Sequence, residues 1–341
     1  MLSELTQLKY KNCIISKAIR EVLETSRLRI FFTTDVHGSD ICFRKFVNAG
    51  NFYKADVIIL GGDITGKMIV PIVEHSNNFF TAYFLGINYN LKTQEELRNL
   101  EKTIRDSGYY PYRTTPKELE ELDANKTKLD ELFTRLMIES VKNWVTICEE
   151  NLRGKNVKCF ISPGNDDRFS IDPILKSSEI IINPEGSVVN LDDRHEMISL
   201  GYSNITPFNC PRDISEDQLT EKIEKMASQV NDMKNCIFNF HCPPYDSGLD
   251  MAPKLDETLK PIVKGGQIIY APCGSIAVSN AIKKYQPLLG LHGHIHESRG
   301  TVVIGRTRCI NPGSEYTEGI LRGAIINLDE KGIKGYMLTS G

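Results

Sequence analysis

Five short apolar runs, at 28–34, 56–61, 157–162, 235–240 and 287–291, punctuate this chain, and each leads directly into acidic, amide or imidazole side chains. Runs of this length with few charges read as buried sheet strands. The first is followed by Asp35 and His37 (Thr34-Asp35-Val36-His37-Gly38), and the second by Asp63 (Gly61-Gly62-Asp63). The third leads to Asn165 (Pro163-Gly164-Asn165-Asp166-Asp167) and the fourth to His241. The fifth runs into His292-Gly293-His294-Ile295-His296. The chain has seven histidines and five of them lie in these motifs, so imidazole is concentrated where strands end. Strand ends are where an α/β fold presents its chemistry.

Oxygen and imidazole donors without thiolate suit hard or borderline divalent ions such as Mn, Fe or Zn. Asp35 and His37 sit two apart past one strand, where a turn can aim both at one ion. Asp63 can bridge through its two oxygens, Asn165 and His241 can complete a second ion with His294, and His296 can return to the first. Two ions about 3.5–4 Å apart activate water and hold phosphoryl oxygens in an in-line displacement.

The order D-x-H, G-D, G-N, H and G-H-x-H over roughly residues 28–315 resembles the calcineurin-like metallophosphoesterase superfamily. The segments Gly290–Ser298 and Ile310–Tyr316 look like the Icc-related predicted phosphoesterases. The resemblance implies an α/β fold: a two-layered β-sandwich flanked by helices, in one domain spanning 1–341. It assigns Asp35, His37, Asp63 and His296 to one metal, and Asp63, Asn165, His241 and His294 to the other. It places Asn165, Asp166 and His241 at the reacting centre. The implied enzyme is a dinuclear phosphoric ester hydrolase in which a metal-bridging hydroxide attacks phosphorus. The substrate would be a small phosphomonoester or phosphodiester, nucleotides included.

Two departures from the superfamily pattern stand out. Related chains carry G-N-H-D or G-N-H-E, and here Asp166 replaces that histidine, which protonates a leaving group or binds phosphate. An ionised Asp166 would repel phosphate, so it is expected to be protonated or to point away, with neighbouring ions favouring its charged form. Protein Ser/Thr phosphatases carry G-D-x-V-D-R-G, and here Lys67 stands at the arginine's spacing. A point charge is not a bidentate fork, which argues against that activity. Asp167 is expected to orient its neighbours.

Between the second and third motifs lies an insertion, roughly 68–155, expected to be mostly helical and to act as a cap or subunit interface. Thr93-Gln94-Glu95-Glu96 is a capping box, and Thr115-Pro116 starts a second helix. The tyrosine-rich segment 108–113 reads as packing or interface. A further helix is expected at 5–25, a hairpin at 187–190 and 196–201, and a β-rich tail. His292 reads as a hydrogen-bonded strand-end residue, His75 and His195 as solvated, and Arg299 and Arg306 as surface arginines.

The 341 residues carry a net charge of −3, with 40% hydrophobic and 25% charged side chains, ordinary for a globular chain. That balance disfavours nucleic acid as partner and with it a nuclease. Intact ligands argue against the other alternative, a non-catalytic scaffold on the same fold. Apolar runs are strand-length and no secretory pattern is visible, so a cytoplasmic protein without membrane partners is expected. Nine cysteines without C-x-x-C pairs fit reduced, buried thiols.

Overall fold

The computed structural model describes residues 28–75 and 78–341; the helix expected at 5–25 lies outside them. Each of the five apolar runs forms a strand, and they divide between two six-stranded sheets. The first sheet runs, in spatial order, Gly332–Ser340, Arg322–Asp329, Leu28–Thr33, Val57–Gly61, Lys158–Ser162 and Ile181–Ile182. Its last four strands are parallel, with Thr33 beside Leu60 and Leu60 beside Ile161. The second runs Gly300–Ile304, Thr307–Asn311, Leu289–Leu291, Ile237–Phe240, Glu196–Leu200 and Val188–Asn190. Its four inner strands are parallel too. The expected hairpin and β-rich tail both form, as antiparallel edges of these sheets.

Parallel strands bury both faces, which is why these runs are almost uninterruptedly apolar. One core cluster takes Ile30, Phe32, Val57, Ile59 and Phe160 from the first sheet and Met197, Ile237, Leu289, Leu291 and Ile310 from the second. A second cluster packs Phe31, Ile58, Leu60, Cys159 and Ile161 against the helices Asp40–Phe52 and Lys126–Leu152. A third packs Ile198, Phe238 and Phe240 against the helices Glu216–Ala227 and Ile276–Tyr285. Successive side chains of each strand alternate between these clusters, the period of two that a strand imposes. Cys42, Cys148, Cys159, Cys236, Cys242 and Cys309 are buried as free thiols. Among the described residues no helix is long and apolar enough to cross a membrane.

The insertion carries more than the expected helices. Ile87–Leu91, Phe79–Phe84, Ile69–His75 and Tyr110–Thr114 form a four-stranded sheet, and the helix Gln94–Asp106 links its last two strands in sequence. Val70, Ile72, Phe80, Ala82 and Phe84 alternate inward and meet Leu97, Leu100 and Ile104 of that helix. The capping box closes as read, with Thr93 accepting from Glu96 N and Glu96 accepting from Thr93 N. The tyrosine segment leads into the strand Tyr110–Thr114, and Tyr110 is buried within it.

Candidate metal centre

Every motif leaves the carboxyl end of a parallel strand, and the two sheets bring those ends together. Asp35 N donates to Gly62 O at 3.0 Å, His37 N to Asp63 O at 3.0 Å and Gly38 N to Ile64 O at 2.8 Å, lacing the first two loops together. His294 N donates to both carboxylate oxygens of Asp35, at 3.1 and 3.0 Å, across 259 residues of sequence. Asp35, His37, Asp63 and His294 all adopt positive φ, between 40° and 68°. Each such residue costs about 1–3 kcal/mol and persists only where its surroundings over-determine it. Four at one place mark a site whose side-chain directions are fixed by its loops. At Gly164 a Cβ would come within 2.2 Å of Asp63 Oδ1, so this close approach requires glycine.

The donors converge as two groups. Asp35, His37 and His296 offer ligand atoms within 4.8 Å of one another, and Asp63, His241 and His294 form a second such set. His37 Nε2 and His296 Nε2 lie 3.0 Å apart, and His296 Nε2 is 3.5 Å from Asp35 Oδ1. Asp63 faces both groups: Oδ2 is 3.7 Å from His37 Nε2, and Oδ1 is 3.4 Å from His241 Nε2. Asn165 Nδ2 donates to Asp213 Oδ1 at 2.9 Å, while its Oδ1 is buried without a partner. His241 Nδ1 faces Gly61 O at 3.0 Å, and its Nε2 is likewise buried without a hydrogen bond. Buried acceptors are rarely left unpaired. His241 Nε2 belongs to the group with Asp63 and His294, and Asn165 Oδ1 is a further free donor on the adjoining loop, so the residues fit a divalent pair.

The electrostatics favour positive charge at the centre. Burial pushes the Asp35 carboxyl up, yet His241 and His296 hold it well below the usual carboxylate range. Asp63 is lowered in the same way, burial being outweighed by His241, His37 and Lys67. Burial pushes His241 down, but Asp63 and Asp35 raise it to about 10. Two carboxylates therefore flank His241 Nε2, at 3.7 Å from Asp35 Oδ1 and 3.4 Å from Asp63 Oδ1, negative charge that a divalent ion would offset. Burial, then the charge of His241, lowers His294 to about 4. Burial and Lys67 lower His37 too, leaving both imidazoles neutral as ligands require.

The neighbouring residues divide into expected and missed. Asp167 is fully buried and accepts from Ile64 N, Thr65 N, Thr65 Oγ1 and Gly164 N at 2.6–3.0 Å, tying the second loop to the third. His292 is the expected strand-end histidine, with Nδ1 2.8 Å from Phe240 O. His195 departs from expectation: it is buried, because the turn Asp192–Arg194 brings the Asp192 carboxylate to 2.9 Å from its Nδ1. His75 is half-buried against Thr81. Arg299 and Arg306 are exposed, as read. Asp166 does not point away; its carboxylate lies within 4.8 Å of ligand atoms of His37 and Asp63, facing Lys67 Nζ at 3.9 Å. Burial and the charge of Asp63 raise it to about 6 against the pull of Lys67. Asp213, Tyr316 and Arg212 were not legible as site residues. Tyr316 lies 4.8 Å from the His37 ring, and Arg212, fully buried, bonds Asp167 O and Asp172 behind the Asn165 loop. Only Tyr316 carried a signal, through the Gly313-Ser314-Glu315-Tyr316 segment.

The insertion touches this centre on two sides. Gly66 N donates to Tyr110 Oη at 2.7 Å, and Ser39 Oγ donates to Asp106 O. Arg168, in the Asn165 loop, bonds Thr134 and Asp130 of the helix Lys126–Leu152 at 2.6 Å each.

No family model matches the chain. An uncharacterized protein of Methanocaldococcus jannaschii is 28% identical over 152 residues, 44% of this chain and 61% of its own length. The chain thus spans about three-fifths of that relative. One solved structure, 16% identical, superimposes with a TM-score of 0.55 over 92% of this chain and 98% of its own, which shows a shared fold. Further neighbours include a dimetal phosphatase of Danio rerio, 11% identical over 91% and 98% of the two chains, TM-score 0.43. A novel archaeal phosphodiesterase is 13% identical over 92% and 100%, TM-score 0.33.

Proposed function

We propose that this chain is a metal-dependent phosphoesterase that hydrolyses a small phosphomonoester or phosphodiester, with nucleotides in the candidate class. The observation that carries this reading is the pair of Asp/His groups with Asp63 facing both, completed by the unpartnered Asn165 Oδ1 and His241 Nε2. Asp35, His37, Asp63 and His296 would hold one divalent ion, and Asp63, Asn165, His241 and His294 the other. Manganese, iron or zinc suits this mixed set of three oxygen and four imidazole donors. Such ions supply an activated water and positive charge for the phosphoryl oxygens. The chain's own part is alignment. Gly61 O holds His241 Nδ1 and leaves Nε2 free, His294 N–H orients the Asp35 carboxylate, and Asp213 turns the Asn165 carbonyl inward. Lys67, exposed beside Asp166, is placed to draw in an anion.

The finer architecture belongs to the same reading. The two sheets stack as a two-layer sandwich, and residues 68–155 are an insertion that flanks the site and shapes substrate choice. Exposed Tyr83, Leu85 and Ile87 at its hairpin offer a surface for self-association. Free, buried thiols fit a cytoplasmic setting.

The test is turnover of an aryl phosphate and a bis-aryl phosphate by chelator-stripped protein, with and without added Mn²⁺. Activity should appear only with metal and fall to background in Asp63→Ala. Turnover that survives chelator, or a fully active Asp63→Ala, would refute the reading.

A further inference from the structure

The geometry points to Asp166 as a fifth ligand of the ion held by Asp35, His37, Asp63 and His296. This inference rests on the phosphoesterase reading and extends it at the position where the related motif has histidine. An Asp166 carboxylate oxygen, a His37 ring nitrogen and an Asp63 carboxylate oxygen lie within 4.8 Å of one another. His37 and Asp63 are also two of the four residues assigned to the first ion, which puts Asp166 on that ion's side of the centre. The backbone at Asp166 is held against this group, since its N–H donates to Asp63 Oδ1 at 3.0 Å. Its side chain is half-buried, on the open side of the group. The cation facing it, Lys67, stands off at 3.9 Å and is itself exposed, beyond hydrogen-bond reach. Two carboxylates, Asp63 and Asp166, thus approach one imidazole with no short bond to a cation between them. That arrangement is unfavourable empty and favourable around a divalent ion. Among the described residues Asp166 joins no group with His241 or His294, whose neighbouring carboxylate besides Asp63 is Asp35 at 3.7 Å from His241 Nε2.

The fifth ligand makes the first set three carboxylates and two imidazoles. Hard, higher-coordinate ions favour such a set, whereas zinc at a protein site favours four ligands. The two ions are therefore inequivalent: the first prefers Mn²⁺, and the second is indifferent to Asp166.

The experiment is calorimetric titration of the chelator-stripped whole chain with Mn²⁺ and with Zn²⁺, for wild type, Asp166→Ala and Asp166→Asn. Anomalous diffraction from Mn²⁺-loaded wild-type crystals accompanies it. The expected result is two Mn²⁺ sites in wild type, one of them weakened at least about tenfold in both variants, with a smaller loss for Zn²⁺. The crystals should show Asp166 in direct contact with the ion beside His37. Thermal melts in chelator check that the variants fold. Equal weakening of both sites would report only a removed charge and overturn the inference. Unchanged isotherms with lowered turnover would overturn it too, because Asp166 would then act on substrate. Two ions bound without dependence on Asp166 remove this inference and leave the phosphoesterase reading intact; a wild-type chain that binds no ions removes both.

Discussion

Asp213→Ala is expected to disable half of the metal centre without touching a ligand. Asn165 Nδ2 donates to Asp213 Oδ1 at 2.9 Å, which decides which end of the amide faces inward. The same carboxylate accepts from Thr206 N, Cys210 N and Thr206 Oγ1 through Oδ2, so its own position is fixed. Removing it frees the Asn165 amide to turn its NH₂ toward the ion, which repels rather than binds. A hydrogen bond to a charged acceptor contributes about 1.5–3 kcal/mol. Loss of a residue that orients a ligand costs about 10–100-fold in metal affinity, or about 1.4–2.7 kcal/mol, so the two estimates agree. The assay is a two-site Mn²⁺ titration of wild type, Asp213→Ala and Asp213→Asn, with circular dichroism to confirm folding. Only the site built from Asn165, His241 and His294 should weaken, more in the alanine variant than in the asparagine. A folded Asp213→Ala chain with both sites at wild-type affinity would show that Asn165 needs no such support.

Two further outcomes concern stability. Glu185 Oε1 is buried without a partner while Oε2 accepts from Gly201 N, and burial raises this carboxyl from 4.5 to about 7. A raised folded pKa means its contribution is complete below about 4.5 and is lost as pH rises through about 7. Glu185→Gln should remove that slope and be the more stable protein at pH 8 by at most about 3.5 kcal/mol, at about 1.4 kcal/mol per pKa unit. Urea midpoints that keep the same pH dependence in the variant would contradict this. Gly108 has φ of +87°, and a Cβ there would stand 2.3 Å from His37 O. Gly108→Ala should destabilise by about 1–3 kcal/mol and lower metal affinity with it; a variant with unchanged melting and metal binding would mean that the insertion does not brace the His37 loop.

The strands, helix caps and motif order were legible because their causes are local. A period of two, an apolar run with a polar stop and a Thr-x-x-Glu box act within a few residues, and Leu28–Thr33, Val57–Gly61 and the helix Gln94–Asp106 fall where they were read. The places of the seven candidate ligands at strand ends were legible for the same reason: each sits at a fixed offset from a strand it cannot leave. The insertion's sheet was less so, since Tyr110–Thr114 is a strand only because Ile69–His75 lies beside it.

What the tertiary structure alone decided is how residues far apart in sequence answer one another. Asp213 holds Asn165 across 48 residues, and His294 orients Asp35 across 259. Arg212 is buried because its charge is met by Asp172 and by the carbonyl of Asp167. Asp166 N–H is caught by Asp63 Oδ1, and its carboxylate lies near His37 and Asp63 rather than away from the centre. Sequence by itself determined which donors stand at strand ends. Only folding, which draws the ends of two sheets together, determined their distances, their partners and the charge each one feels.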